Sequence, residues 1–135
     1  MDLIKWRDSY GTGVLSMDNQ HRTIIGLINE LYKNIRKEES SGSVEGVLTD
    51  MMKYAEEHLQ AEENLLKTNE FPDYVEHIGK HQSYRQRLAA LMAESKIDPD
   101  EAVKNIYSFL RQWWMGHIVD EDKKYGEFLK GKGVA

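Results

Sequence analysis

Histidines stand at positions 21, 58, 77, 81 and 117, and their spacing has a chemical reading. His58 precedes Glu62 by four residues, and His77 precedes His81 by four. On helices, each pair projects from one face, one turn apart. Two such pairs on neighbouring antiparallel helices would bring three imidazoles and a carboxylate into one small volume, which is metal-site chemistry. The chain has no cysteine, so thiolate metal sites, disulfides and redox thiols are excluded.

All five histidines fall on apolar stripes, where chance alignment has odds of roughly one in seventy for a core face covering three-sevenths of a helix. A single buried imidazole is explained by a hydrogen bond to a neighbour. Five would each need a partner of their own, and an unpaired buried polar group costs about 1–3 kcal/mol. Converging on metal satisfies all of them together. Five imidazoles, Glu62 and one more carboxylate exceed what a single tetrahedral zinc can use. Imidazole-rich sites suit iron, copper, zinc or nickel rather than magnesium or calcium. Two ions bridged by carboxylates would use every donor, with iron the most natural choice. The Glu-x-x-His pairs of ferritin-like sites are missing, because Asp18, Ala55, Tyr74, Ile78 and Trp114 stand three before the histidines. Asp120, Glu121 and Asp122 compete for the seventh donor. Helical spacing favours Glu121, since five residues on an ideal helix turn through about 140° beyond one revolution.

The elements that must position these donors are helices. A stripe of His21, Ile24, Ile25, Ile28, Leu31, Tyr32 and Ile35 predicts a first helix over about 17–37, capped by Ser16 or Asp18. It ends in the loop-forming run 38–43. A second helix, about 44–68, carries Val47, Leu48, Met51, Tyr54, Ala55, His58, Glu62 and Leu65 on one face. Pro72-Asp73 opens a third, about 73–95, with Tyr74, His77, Ile78, His81, Tyr84, Leu88 and Leu91. Gly79 inside it costs up to about 1 kcal/mol, which a close helix approach would explain. Asp98-Pro99-Asp100-Glu101 combines an N-cap, proline at the first helical position and an acid three beyond the cap. It starts a fourth helix, about 99–128, expected to fray through Gly126. Residues 1–15 lack a period and read as an ordered, irregular arm. The expectation is one all-α domain over 1–135, an up-down-up-down antiparallel four-helix bundle.

A net charge of −5 over 135 residues, with 30% of residues charged in mixed order, argues against nucleic acid or an anionic membrane as partner. The N-terminus shows no signal peptide and no apolar run approaches a membrane span. A cytoplasmic protein is the expectation.

Met17-Asp-Asn-Gln-His21, His58-Leu-Gln-Ala-Glu62-Glu63, His77-x-x-x-His81 and Trp113-x-x-x-His117-Ile118-x-x-x-Asp122-x-x-Tyr125 together resemble the hemerythrin family in its single-domain bacterial form. The resemblance spans almost the whole chain. It implies a non-haem di-iron site with an oxo or hydroxo bridge, where His77, His81 and His117 hold one iron and His21 and His58 the other. Glu62 and Asp122 would bridge. The family motif thus selects Asp122 over Glu121, which implies a local irregularity in the last helix and leaves Glu121 facing solvent. The two-histidine iron would keep a position open for dioxygen, or for azide or nitric oxide, beside Ile24, Leu59, Trp113, Trp114 and Ile118. The implied function is reversible dioxygen binding for storage, carriage, delivery or sensing, by a monomer that is not an enzyme, with an oxygen-consuming protein as the implied client. The alternatives are a di-iron enzyme reducing peroxide or nitric oxide, and an iron reservoir. Leu59 and Trp114 depart from the family's usual Phe and Leu, and read as a volume-conserving exchange. Asp18, Gln20 and Glu63 read as solvated groups or as supports behind the ligands.

Overall fold

A computed structural model describes residues 3–36, 44–94 and 99–134. The chain forms helices α1 (Leu15–Ile35), α2 (Val44–Thr68), α3 (Tyr74–Glu94) and α4 (Pro99–Gly116). A π turn at His117–Glu121 then leads without a break into α5 (Asp122–Gly131). Each long helix packs on its chain neighbours, and α1 closes the ring against α4. The molecule is therefore an all-α four-helix bundle, with no strand among the described residues. No helix among them is long and apolar enough to cross a membrane. The expected loop at 38–43 and the cap at Asp98 lie outside the described residues.

The stripes read from the sequence face inward. Ile24, Ile28 and Leu31 from α1, Met51 and Leu59 from α2, Leu88 and Leu91 from α3, and Ile106, Leu110 and Trp114 from α4 join one large apolar cluster. A second, smaller cluster contains Val14, Met17, Leu66, Phe71, Tyr125 and Leu129. Near the boundary between the two lie the buried polar residues His21, His58, Glu62, His77, His81, His117 and Asp122.

Helix ends build the smaller cluster. After α2, Phe71 N–H donates to Leu66 C=O and Glu70 N–H to Lys67 C=O, with Glu70 at φ 56°. After α5, Val134 N–H donates to Leu129 C=O and Gly133 N–H to Lys130 C=O, with Gly133 at φ 80°. Both are Schellman terminations, in which the residue after the left-handed position packs back on the last turn. Phe71 and Leu66 meet in the small cluster, and Val134 and Leu129 do the same. Lys132 Nζ donates to Asn69 C=O at 2.6 Å and ties the two ends together.

Three local expectations are corrected. The first helix starts at Leu15 with Val14 at the N-cap position and no side-chain cap bond. Asp18 Oδ1 instead accepts from Thr12 N–H and Thr12 Oγ1–H, both at 2.8 Å, so it fastens the arm rather than the helix. Gly126 does not begin a frayed end; it is buried within α5, and a Cβ there would sit 2.2 Å from the Thr12 carbonyl oxygen. Gly79 meets nothing within 4 Å, so no close helix approach explains it. The arm contains a 3₁₀ turn at Asp8–Tyr10 and is clamped to α1 where Asn29 exchanges hydrogen bonds with the Ile4 backbone at 2.8 and 2.7 Å.

Candidate metal centre

Each helix contributes to the polar layer: His21 from α1, His58 and Glu62 from α2, His77 and His81 from α3, then His117 and Asp122 around the π turn. All seven are buried, with Glu62, Asp122, His21 and His81 at 0% exposure. Their donor atoms form two groups sharing Glu62. One joins Glu62 with His77, His81 and His117; the other joins it with His21, His58 and Asp122, and in each the donor atoms lie within 4.8 Å of one another.

The carboxylates divide their oxygens between the groups. Glu62 Oε1 lies 2.5 Å from His77 Nε2, 3.0 Å from His81 Nε2 and 3.3 Å from His117 Nε2. Its Oε2 lies 3.1 Å from His58 Nε2 and 3.8 Å from His21 Nε2. Asp122 repeats this arrangement, with Oδ1 2.9 Å from His117 Nε2 and Oδ2 2.8 Å from His21 Nε2. Two carboxylates that each present one oxygen to each group are arranged as bridges.

The π turn makes this possible. On a straight α-helix His117 and Asp122 would point about 140° apart, whereas an i→i+5 turn returns them to one face. The irregularity implied by the family motif is thus a π turn beginning at the ligand itself. Glu121 is directed elsewhere: half-buried rather than free in solvent, it pairs with Lys80 and Lys124. One sequence signal pointed the same way. On an unbroken helix, Asp122, Tyr125 and Leu129 would lie roughly 100° ahead of the stripe through Ile106, Leu110, Trp114 and His117, which is the angle of one extra residue.

Electrostatics support a cation. Burial opposes the carboxylate charges, yet hydrogen bonds from His117, His21, His58 and His77 hold Glu62 well below the usual range. Asp122 is also lowered, with burial and Glu62 working against His117 and His21. Burial opposes protonation of His21 and His117, but Asp122 and Glu62 outweigh it and push them up to about 9 and about 10. Even so, the angles of these close contacts leave His21 Nε2, His58 Nε2 and both Asp122 oxygens without a well-formed hydrogen bond, and His21 Nδ1 is likewise buried and unbonded. All except His21 Nδ1 are the atoms that would hold metal. Each orphan costs about 1–3 kcal/mol, so the donor set fits metal better than it fits itself.

Outer partners fix the rings. His58 Nδ1 meets Gln20 Oε1 at 2.5 Å, and His81 Nδ1 meets Glu63 Oε2 at 2.7 Å. Tyr125 donates its hydroxyl hydrogen to Glu62 Oε2 at 3.1 Å. Burial, then the Asp122 and Glu62 charges, push the Tyr125 phenol far up, so it remains a neutral donor. Sequence reasoning gave Tyr125 no role at the site, although it stands three residues after Asp122 in the recognised motif. Arg85, behind Glu63, had no signal at all.

The pocket residues separate. Ile24, Leu59, Trp114 and Ile118 are fully buried in the large cluster, and the Trp114 ring lies 5.7 Å from that of His58. Trp114 Nε1–H donates to Tyr84 Oη at 3.3 Å. Trp113 is half-buried and stacks on His117 at 4.4 Å and 16°, so it covers the outside of the three-histidine group.

A helical bundle with two buried, imidazole-rich groups that could each hold a cation and that share Glu62 points to a class of protein. The sequence profile of the hemerythrin HHE cation binding domain matches residues 12–129, and the chain belongs to the hemerythrin family. Bacteriohemerythrin of Clostridium acetobutylicum is 23% identical over 124 residues, covering 89% of this chain and 96% of the relative. Bacteriohemerythrin of Methylococcus capsulatus is 27% identical over 130 residues, covering 96% and 98%. A hemerythrin-like protein of Naegleria gruberi is 29% identical over 120 residues, covering 89% and 88%.

Proposed function

We propose that this chain binds dioxygen reversibly at a carboxylate-bridged, non-haem di-iron centre and does not transform it. His77, His81 and His117 would hold one iron, His21 and His58 the other, and Glu62 and Asp122 would serve both. The observation that carries the reading is the division of oxygens, with Oε1 of Glu62 facing His77, His81 and His117 and Oε2 facing His21 and His58. Iron held there would supply reversible electron exchange with dioxygen.

The protein's own residues supply the rest. Two carboxylates would offset half the charge of a ferrous pair, and a hydroxide would leave a single net positive charge, which the five neutral imidazoles around it make tolerable in a buried site. The two-histidine half offers one imidazole fewer, so the small ligand (dioxygen, or azide or nitric oxide) enters there. Ile24, Leu59, Trp114 and Ile118 exclude water from that side. Exclusion of water limits proton entry and loss of reduced oxygen. Tyr125 keeps its proton and holds Glu62 in orientation.

The test is a cycle. The reduced, iron-loaded protein is exposed to dioxygen, its charge-transfer absorption is followed, and dioxygen is then removed. Full recovery of the reduced form is expected. Rapid irreversible oxidation would replace this reading with an enzyme that reduces peroxide or nitric oxide. Azide added to the diferric protein should bind the iron of His21 and His58 alone, and a structure with azide on the other iron would overturn the placement.

A further inference from the structure

The two halves of the centre differ in what stands behind their imidazoles. Behind His81, Glu63 Oε2 accepts from Nδ1–H at 2.7 Å and also from Arg85 Nη2–H at 2.8 Å. Arg85 is fixed in turn by a two-pronged contact with Glu56, Nε to Oε1 and Nη2 to Oε2, both at 2.8 Å. Glu56 and Glu63 stand two turns apart on α2, so Arg85 of α3 spans both acids. Among the described residues no other ligand histidine has a carboxylate on its outer nitrogen. His58 has the neutral amide of Gln20, and His21 Nδ1 is buried without a partner.

We propose that Glu63, anchored by Arg85 and Glu56, is a positioning residue that makes the three-histidine half the tighter metal position and the first to fill. A carboxylate accepting from Nδ1–H fixes the tautomer that presents Nε2 inward and makes that nitrogen a stronger donor. Arg85 keeps the carboxylate on the imidazole when metal is absent, so His81 is already aligned for the first ion. The second half has no charged support and gains most of its order from Glu62 and Asp122 once they are oriented by the first ion. The inference rests on the two-metal reading proposed above.

Stepwise titration of the metal-free protein with Co(II), followed by ligand-field absorption and competition with a chelator, tests it. Wild type should take two ions in distinguishable steps. In the proton NMR spectrum, the first ion should shift the imidazole N–H signals of His77, His81 and His117. Glu63→Gln keeps the shape and removes the charge. It should weaken the first step about 10- to 100-fold, the usual cost of losing such a partner, while the second step stays near wild type. Arg85→Gln should act in the same direction to a smaller extent, and Arg85→Lys should recover part of the loss. Helix content and thermal unfolding of each metal-free variant establish that it folds. Equal weakening of both steps, no weakening, or a first ion on His21 and His58 would overturn the inference. Uptake of fewer than two ions by wild type would instead sink the two-metal reading.

Discussion

On one side of the polar layer, Ile28, Leu31, Met51, Ile106 and Leu110 come from within helices; on the other, Leu66, Phe71, Leu129 and Val134 come from helix ends. The large cluster is held by periodic faces that run the length of the bundle. The small one is held by two Schellman terminations, the Lys132–Asn69 tie and the arm that crosses α5 at Gly126. Tyr125 belongs to the small cluster and also donates to Glu62, so this region leans directly on the polar layer. The difference teaches that the large cluster can fold as a core in its own right, whereas the small one acquires much of its rigidity from whatever orders Glu62 and Asp122.

The largest effect should come from cutting the layer between them. Asp122→Ala should lower bound iron sharply, whereas Glu121→Ala should leave it near wild type, both read by metal analysis. The reverse result would mean that helical spacing, and not the π turn, sets the bridging residue. Next, Leu110→Ala should cost about 2–5 kcal/mol, the usual range for a buried leucine, with or without metal. Leu129→Ala should cost clearly less in the metal-free protein than in the loaded one. Chemical denaturation of all four species decides it, and equal costs for Leu129→Ala would erase the distinction between the clusters.

A pH series sharpens the same contrast. His21 and His117 are raised to about 9 and about 10 in the folded, metal-free protein. Their contribution is therefore complete below the ordinary histidine value near 6.5 and is lost as pH rises through 9 to 10. Metal needs neutral imidazole, so its binding strengthens over the same interval. The stabilisation that metal adds to the melting temperature should grow from pH 6.5 upward, and a constant increment would contradict the assignment.

The wall between the layer and the large cluster is tested by Leu59→Phe and Trp114→Leu. The single changes should overpack and underpack one pocket, and the double mutant should show coupling of about 0.5–3 kcal/mol. Strict additivity would mean that the two side chains share no wall. The smallest effect belongs to Glu70, whose φ of 56° is one that glycine adopts without strain. Glu70→Gly should raise stability by up to about 1 kcal/mol, the relief of left-handed strain less the added freedom of the unfolded chain.

The contrast between the clusters also sets how far the sequence could be read. Stripes such as Ile24, Ile28 and Leu31 repeat every three or four residues, so the large cluster and the histidines on the same stripes were legible from periodicity alone. Helix ends carry no such repeat, and Glu70 in a left-handed position is the opposite of the glycine that usually marks one. Spacing selected Glu121, and only the resemblance selected Asp122, because periodicity assumes an unbroken α-helix. Arg85 reached the site through Glu63, a relation of three-dimensional neighbours that no spacing on α3 encodes.

Val119 and Asp120 lie at the exposed crest of the π turn. Almost any residue could replace either of them. The turn holds one residue more than a plain α-helix would, so loss of one would straighten the helix and keep Asp122, Tyr125 and Leu129 on the interior face. What these two positions contribute is chain length itself, so the segment should accept substitutions and a single deletion, whereas loss of both would swing Tyr125 and Leu129 roughly 100° away from the interior.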